Sequence, residues 1–254
     1  MGRESEMELA RRHIEAFERQ MRACTARLSQ IENGQPRSGG SGLLYAHWDR
    51  HFVLSVLHNF DPADTGWVLE TDCKVGEHPL CIILPPINWL NLTRLGSHGE
   101  LEPGIDGLAW VELDLNSLGR KLRGDVRFTG RTLSLVAYQG SLETPPTDGE
   151  LYGFVASPPR EFHEFSNTLC REPIIEIGMT YVGTDARGFY CFKLGHGHPG
   201  DRNYKGSSGA PIADREGTVV ALVQGGDPEG DIIFGVPLAT YGRALELQFQ
   251  QTAP

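Results

Sequence analysis

The chain has 254 residues, enough for one large core or two smaller ones, with 39% hydrophobic residues, 22% charged residues and a net charge of −10. That acidic balance argues against general nucleic-acid binding, and no apolar run approaches the roughly 18 residues of a membrane span. The polar start, Met1 to Ala10, does not read as an export signal. Cys24, Cys73, Cys81, Cys170 and Cys191 form an odd set without C-x-x-C spacing, which reads as reduced thiols in a cytoplasmic protein. With 31 glycines and 16 prolines the chain needs many turns, which leans towards an all-β body.

In chain order, residues 3–32 contain no Gly or Pro and are rich in helix formers. Met7, Ala10, Ile14, Phe17, Met21, Cys24, Leu28 and Ile31 recur at spacings of three and four, the pattern of a coiled-coil seam. Such a helix either binds a partner protein or a second copy, or lies on its own domain. Asn33-Gly34 stops it, and Gln35 to Gly42 (QPRSGGSG) reads as a flexible linker. Short apolar runs separated by turn residues follow: 43–47, 51–57, 67–70, 80–84, 108–113, 133–138, 151–155, 174–182, 190–194, 219–224 and 232–236. No amphipathic helix intervenes, so barrels or a sandwich are expected, not βαβ units.

Chemistry concentrates in Gly206-Ser207-Ser208-Gly209-Ala210-Pro211. A serine between two glycines suits a hydroxyl at the tip of a tight turn, with backbone N–H groups free to meet developing negative charge. Serine needs a base, and the base an orienting acid. His58 ends the apolar run 51–57, and Asp106 stands just ahead of 108–113; Asp114 is the fallback acid.

Order and spacing of His58 in VLSVLHNF, Asp106 in IDGLAWVEL and Ser208 in GSSGAPI resemble the chymotrypsin/trypsin-like serine peptidases. Val219–Gly226 resembles that family's substrate-binding strand, and Ile232–Pro237 the late strand lining its specificity pocket. The resemblance covers roughly residues 40–245, excludes the N-terminal helix and implies two six-stranded antiparallel β-barrels, so that with the helix read above the fold is all-β with an N-terminal α-helical extension. The implied layout is a helix at 1–34, a linker at 35–42, a first barrel at 43–115, a connection at 116–148, a second barrel at 149–247 and a tail at 248–254. It further implies a bacterial serine endopeptidase with His58, Asp106 and Ser208 catalytic and an oxyanion hole from the Gly206 and Ser208 N–H groups. Arg202, Leu222, Val223, Gln224, Gly225 and Gly235 become the candidate substrate-binding residues, with Arg202 at the pocket base by count. Acyl transfer of this kind needs no metal or other cofactor. His196-Gly197-His198 offers two possible metal ligands without an obvious third.

The chain also departs from the family. Bulky Val56-Leu57 precede the histidine, and Ser207 stands where proteolytically activated members often carry an aspartate. Activation by cleavage and amine insertion is therefore not expected. A catalytically inactive, protease-like binding module is the alternative reading, and a latent effector awaiting a partner is a third.

Overall fold

The computed structural model describes residues 2–32, 35–60, 66–75, 78–91, 93–95, 101–103, 107–113, 123–124, 133–157, 161–163, 168–170 and 173–251. Helix α1 (Gly2–Cys24) stops at Cys24, and the residues expected to extend it form strand β1 (Thr25–Glu32). The Thr25 hydroxyl marks the break, lying 2.7 Å from the Met21 carbonyl and 3.1 Å from the Val155 carbonyl. The heptad pattern therefore does not describe one stripe. Phe17, Met21 and Cys24 are buried, Met7, Ala10 and Ile14 are exposed, and Leu28 and Ile31 belong to the strand.

The segment read as a linker is a second departure. Residues 35–42 open strand β2 (Gln35–His47), which pairs antiparallel with β1 from Gln35 to Leu43. Two of its three glycines, Gly40 and Gly42, serve close approach. A Cβ on Gly42 would lie 2.9 Å from the Leu54 carbonyl oxygen, and one on Gly40 would lie 2.7 Å from Asn59 Nδ2.

The first unit continues through β3 (Arg50–Val56), β4 (Trp67–Val75), β5 (His78–Ile83), β6 (Asn88–Leu90), β7 (Thr93–Leu95), β8 (Leu101–Pro103) and β9 (Leu108–Leu113). Seven of these strands make one curled antiparallel sheet in the order β5-β4-β1-β2-β3-β9-β6. Its strand count exceeds six because residues 25–42 join it. Two short pairing strands, β10 (Arg123–Gly124) and β11 (Leu133–Ser134), lie in the connection. Residues 136–138 then run beside β2, with Tyr138 donating to the Leu44 carbonyl and accepting from the Ala46 N–H, each at 2.8 Å.

The second unit holds β12 (Leu151–Ala156), β13 (Glu161–His163), β14 (Thr168–Cys170), β15 (Ile174–Thr184), β16 (Tyr190–Lys193), β17 (Pro211–Asp214), β18 (Val219–Asp227) and β19 (Ile232–Pro237). Six of them close a barrel in the order β12-β15-β16-β19-β18-β17. Where the end of the second barrel and a tail were expected, helix α2 (Leu238–Gln251) follows.

One core cluster joins the units. It takes Phe17, Met21 and Cys24 from α1, Phe52 and Leu54 from β3, Leu222 from β18, and Tyr241, Leu245 and Phe249 from α2. Phe249 stacks on Phe52 at a ring separation of 3.8 Å. Arg50 fixes that contact by donating both to the Phe249 carbonyl and to Glu112, the latter at 2.7 and 2.5 Å. A cation on the last carbonyls of a helix also opposes its dipole.

Candidate active site

The turn carrying Ser208 follows a 3-10 turn at Asp201–Tyr204. Lys205 has φ −58° and ψ 122°, Gly206 has φ 88°, and the Ser207 N–H donates to the Tyr204 carbonyl at 2.9 Å. This is a type II turn, whose third position requires positive φ and hence glycine. The Ala210 N–H then donates to the Ser207 carbonyl at 2.8 Å. Gly209, at φ 85°, has no room for a side chain: a Cβ would meet the Ser41 carbonyl oxygen at 2.0 Å. The successive turns leave the Gly206 and Ser208 N–H groups without an acceptor among the described residues.

Both units hold this turn. From the second barrel, the Gly209 N–H donates to the Val223 carbonyl at 2.7 Å and the Val223 N–H to the Ala210 carbonyl at 2.8 Å. From the first, the Ser41 N–H and Asn59 Nδ2 both donate to the Ser208 carbonyl at 2.9 Å. Asn59 Nδ2 also donates to Ser55 Oγ at 2.9 Å, and Ser55 Oγ to the Ser41 carbonyl at 2.7 Å.

His58 is the exposed middle residue of the 3-10 turn Leu57–Asn59 that ends β3. Its neighbour Asn59 thus grips the backbone of Ser208. Its other neighbour, Leu57, donates its N–H to the Gly107 carbonyl at 2.9 Å. Gly107 follows Asp106 directly, and a Cβ there would lie 2.5 Å from the Leu90 carbonyl oxygen, so the residue after the aspartate must be small. Asp106 itself and Asp114 lie outside the described residues. Backbone and amide contacts therefore link the neighbours of all three candidates in one chain: Gly107 to Leu57, then Asn59 to Ser208.

No protein-family model matches the chain, and no curated protein matches it by sequence. Solved structures do match. A serine endoprotease from Yersinia pestis gives a TM-score of 0.52 at 13% identity, covering 92% of this chain and 66% of that one. Human heparin binding protein gives 0.58 at 15% identity, covering 93% and 95% of the two chains. An inactivated protease paralogue of the scabies mite gives 0.55 at 12%, covering 93% and 96%. The fold is chymotrypsin-like.

Within this chymotrypsin-like fold the candidate substrate residues separate. Leu222 and Val223 face the core, at 0% and 1% exposure, and both main-chain polar groups of Val223 are taken by the serine turn. Gln224 and Gly225 lie at and beyond the register shift in β18. Gly235 turns its hydrogens to the barrel interior, where a Cβ would meet Ala221 Cβ at 2.8 Å. Arg202 is exposed on the 3-10 turn and is not a buried pocket base.

Sequence reading overlooked Ser41, Asn59 and a polar cluster below the serine turn. Glu176 of β15, 5% exposed, accepts from the Tyr204 hydroxyl at 2.6 Å and pairs with His196 Nε2 at 2.9 Å. Burial first, then the bond to Glu176, pushes the Tyr204 phenol well above its ordinary range. His196 is raised chiefly by the Gly197 carbonyl at Nδ1 and next by the Glu176 charge. With acceptors at both nitrogens, only the imidazolium satisfies both contacts. His198 serves a different role: its backbone N–H donates to Asp231 at 2.7 Å and its Nδ1 accepts from Gly200 at 3.0 Å. The two histidines thus do not share a ligand position, and no three His, Cys, Asp or Glu side chains group as a metal ion requires among the described residues. Among those residues, too, no helix is long and apolar enough to cross a membrane.

Proposed function

We propose that this chain is a serine endopeptidase working through Ser208, His58 and Asp106. His58 takes the Ser208 hydroxyl proton as Oγ attacks a peptide carbonyl, and the carbonyl oxygen becomes an oxyanion received by the Gly206 and Ser208 N–H groups. The imidazolium returns that proton to the leaving amine, giving an acyl-enzyme. Water, deprotonated by the same histidine, then releases the acid and regenerates the serine. Asp106 holds the imidazole tautomer and stabilises its charged form. Arg202, on the surface, is given no part in specificity.

The observation that carries this reading is the pair of contacts flanking His58, from Leu57 to the residue after Asp106 and from Asn59 to Ser208 itself. A bacterial source and an intracellular protein target belong to the proposal, the latter on the strength of the unspaced cysteines. Met7 and Ile14, exposed on α1, leave that helix able to meet a regulating partner or a second copy.

Labelling with a fluorophosphonate probe tests the reading. Modification of Ser208, lost in Ser208→Ala and reduced in His58→Ala and Asp106→Asn, is expected. No labelling of Ser208 with or without a partner would leave the protease-like binding module as the better account. Proteome-wide cleavage mapping with wild type against Ser208→Ala then identifies the substrate.

A further inference from the structure

Three consecutive peptide planes form the anion-receiving turn, and each is held differently. The plane between Lys205 and Gly206 is set by the type II dihedral angles. The plane between Ser207 and Ser208 is set by the Ala210 N–H on its carbonyl. The plane between Gly206 and Ser207 is held at both edges: its N–H donates to Tyr204 at 2.9 Å, and its carbonyl accepts from Ser41 Oγ at 3.0 Å. That last bond comes from the other structural unit.

Ser41 is suited to this task because nothing about it is left loose. It is fully buried, and its Oγ also accepts the Ser157 N–H at 3.0 Å, which directs its single proton at Gly206. Its carbonyl is held by Ser55 Oγ and its N–H by the Ser208 carbonyl. One residue of β2 therefore touches the turn on both sides of Ser207 and braces it against β3 and the residue after β12.

We infer that Ser41 is a positioning residue for the reaction, its hydroxyl fixing the Gly206–Ser207 peptide so that both oxyanion donors stand ready in the uncut chain. This rests on the peptidase reading and adds its regulation: the turn is set by docking of the two units, not by a newly cleaved amine. Ser207, buried at 3% exposure, carries no charge with which to receive such an amine.

The test compares Ser41→Ala, Ser41→Cys and the control Ser38→Ala, which removes a hydroxyl on the same strand bonded only to Gln30 among the described residues. Fluorophosphonate labelling of uncut protein is resolved into probe affinity and maximal rate, and crystal structures of wild type and Ser41→Ala report the orientation of the 206–207 peptide. Expected are a maximal rate at least ~10-fold lower in Ser41→Ala at unchanged probe affinity, an intermediate rate in Ser41→Cys, a rotated peptide in Ser41→Ala, and Ser38→Ala at the wild-type rate. Equal rates in wild type and Ser41→Ala, an equal loss in Ser38→Ala, or labelling that appears only after cleavage of the N-terminal region would overturn the inference. Wild type that is never labelled sinks the peptidase reading alone, and the two crystal structures then decide whether Ser41 sets the turn.

Discussion

Tyr204→Phe removes one oxygen atom from beneath the serine turn and should be felt in two places. The phenol donates to Glu176 at 2.6 Å, and that carboxylate is 5% exposed with His196 on its other oxygen. A hydrogen bond to a charged, buried acceptor is worth about 1.5–3 kcal/mol, so the variant should lose that much stability. For a chain of this size each kcal/mol lowers Tm by roughly 2–4 °C, giving a fall of about 3–12 °C. Because the Tyr204 carbonyl also anchors the type II turn, labelling of Ser208 should slow with it. A double-mutant cycle with Glu176→Gln, read by urea unfolding, isolates the pair, and a coupling of at least ~1 kcal/mol is expected. Coupling below about 0.5 kcal/mol would refute the strength assigned to this bond.

Three further outcomes follow from the same geometry. Gly209→Ala places a methyl 2.0 Å from the Ser41 carbonyl at φ 85°, so labelling of Ser208 should fall by about 100-fold; a rate within twofold of wild type contradicts the packing described. Burial pushes the Cys24 thiol up from 9.0 to about 12. A raised thiol leaves the folded state holding a proton that the unfolded state loses, so stability is full below pH 9 and declines towards pH 12, at most about 1.4 kcal/mol per pH unit. Urea midpoints from pH 8 to 11 should fall, and Cys24→Ala should make the fall shallower without abolishing it, because Cys191, Tyr45 and Tyr138 are also raised. On α1, Phe17→Ala should cost about 3–5 kcal/mol because the ring enters the shared core, whereas Ile14→Arg, on the exposed half, should leave the unfolding midpoint unchanged.

Much of this was readable in the residues before any coordinate. Gly206 and Gly209 announced a turn that only glycine can make, and runs such as 108–113 and 219–224 fell within strands as expected. What failed was local pattern where tertiary contact decides. The seam at Met7 to Ile31 looked continuous, yet its helix breaks at Thr25 because the next residues gain more by pairing with β2 and β4. Glycines 39, 40 and 42 signalled a linker, because sequence does not separate freedom from tight approach. Helix α2 hid behind Gly242, a poor helix former that sits against Leu142 and Glu143. Ser41 and Asn59 gave no signal at all, since their value lies in a turn far along the chain.

The shared core has a bearing on when the fold is completed. Residues 17–24 and 238–249 interlock in one apolar cluster between the sheet and the barrel, so synthesis must run nearly to residue 249 before that cluster can shut. Until then the two units that Ser41 bridges lack their common core, so its brace on the 206–207 peptide is expected to be completed late in synthesis.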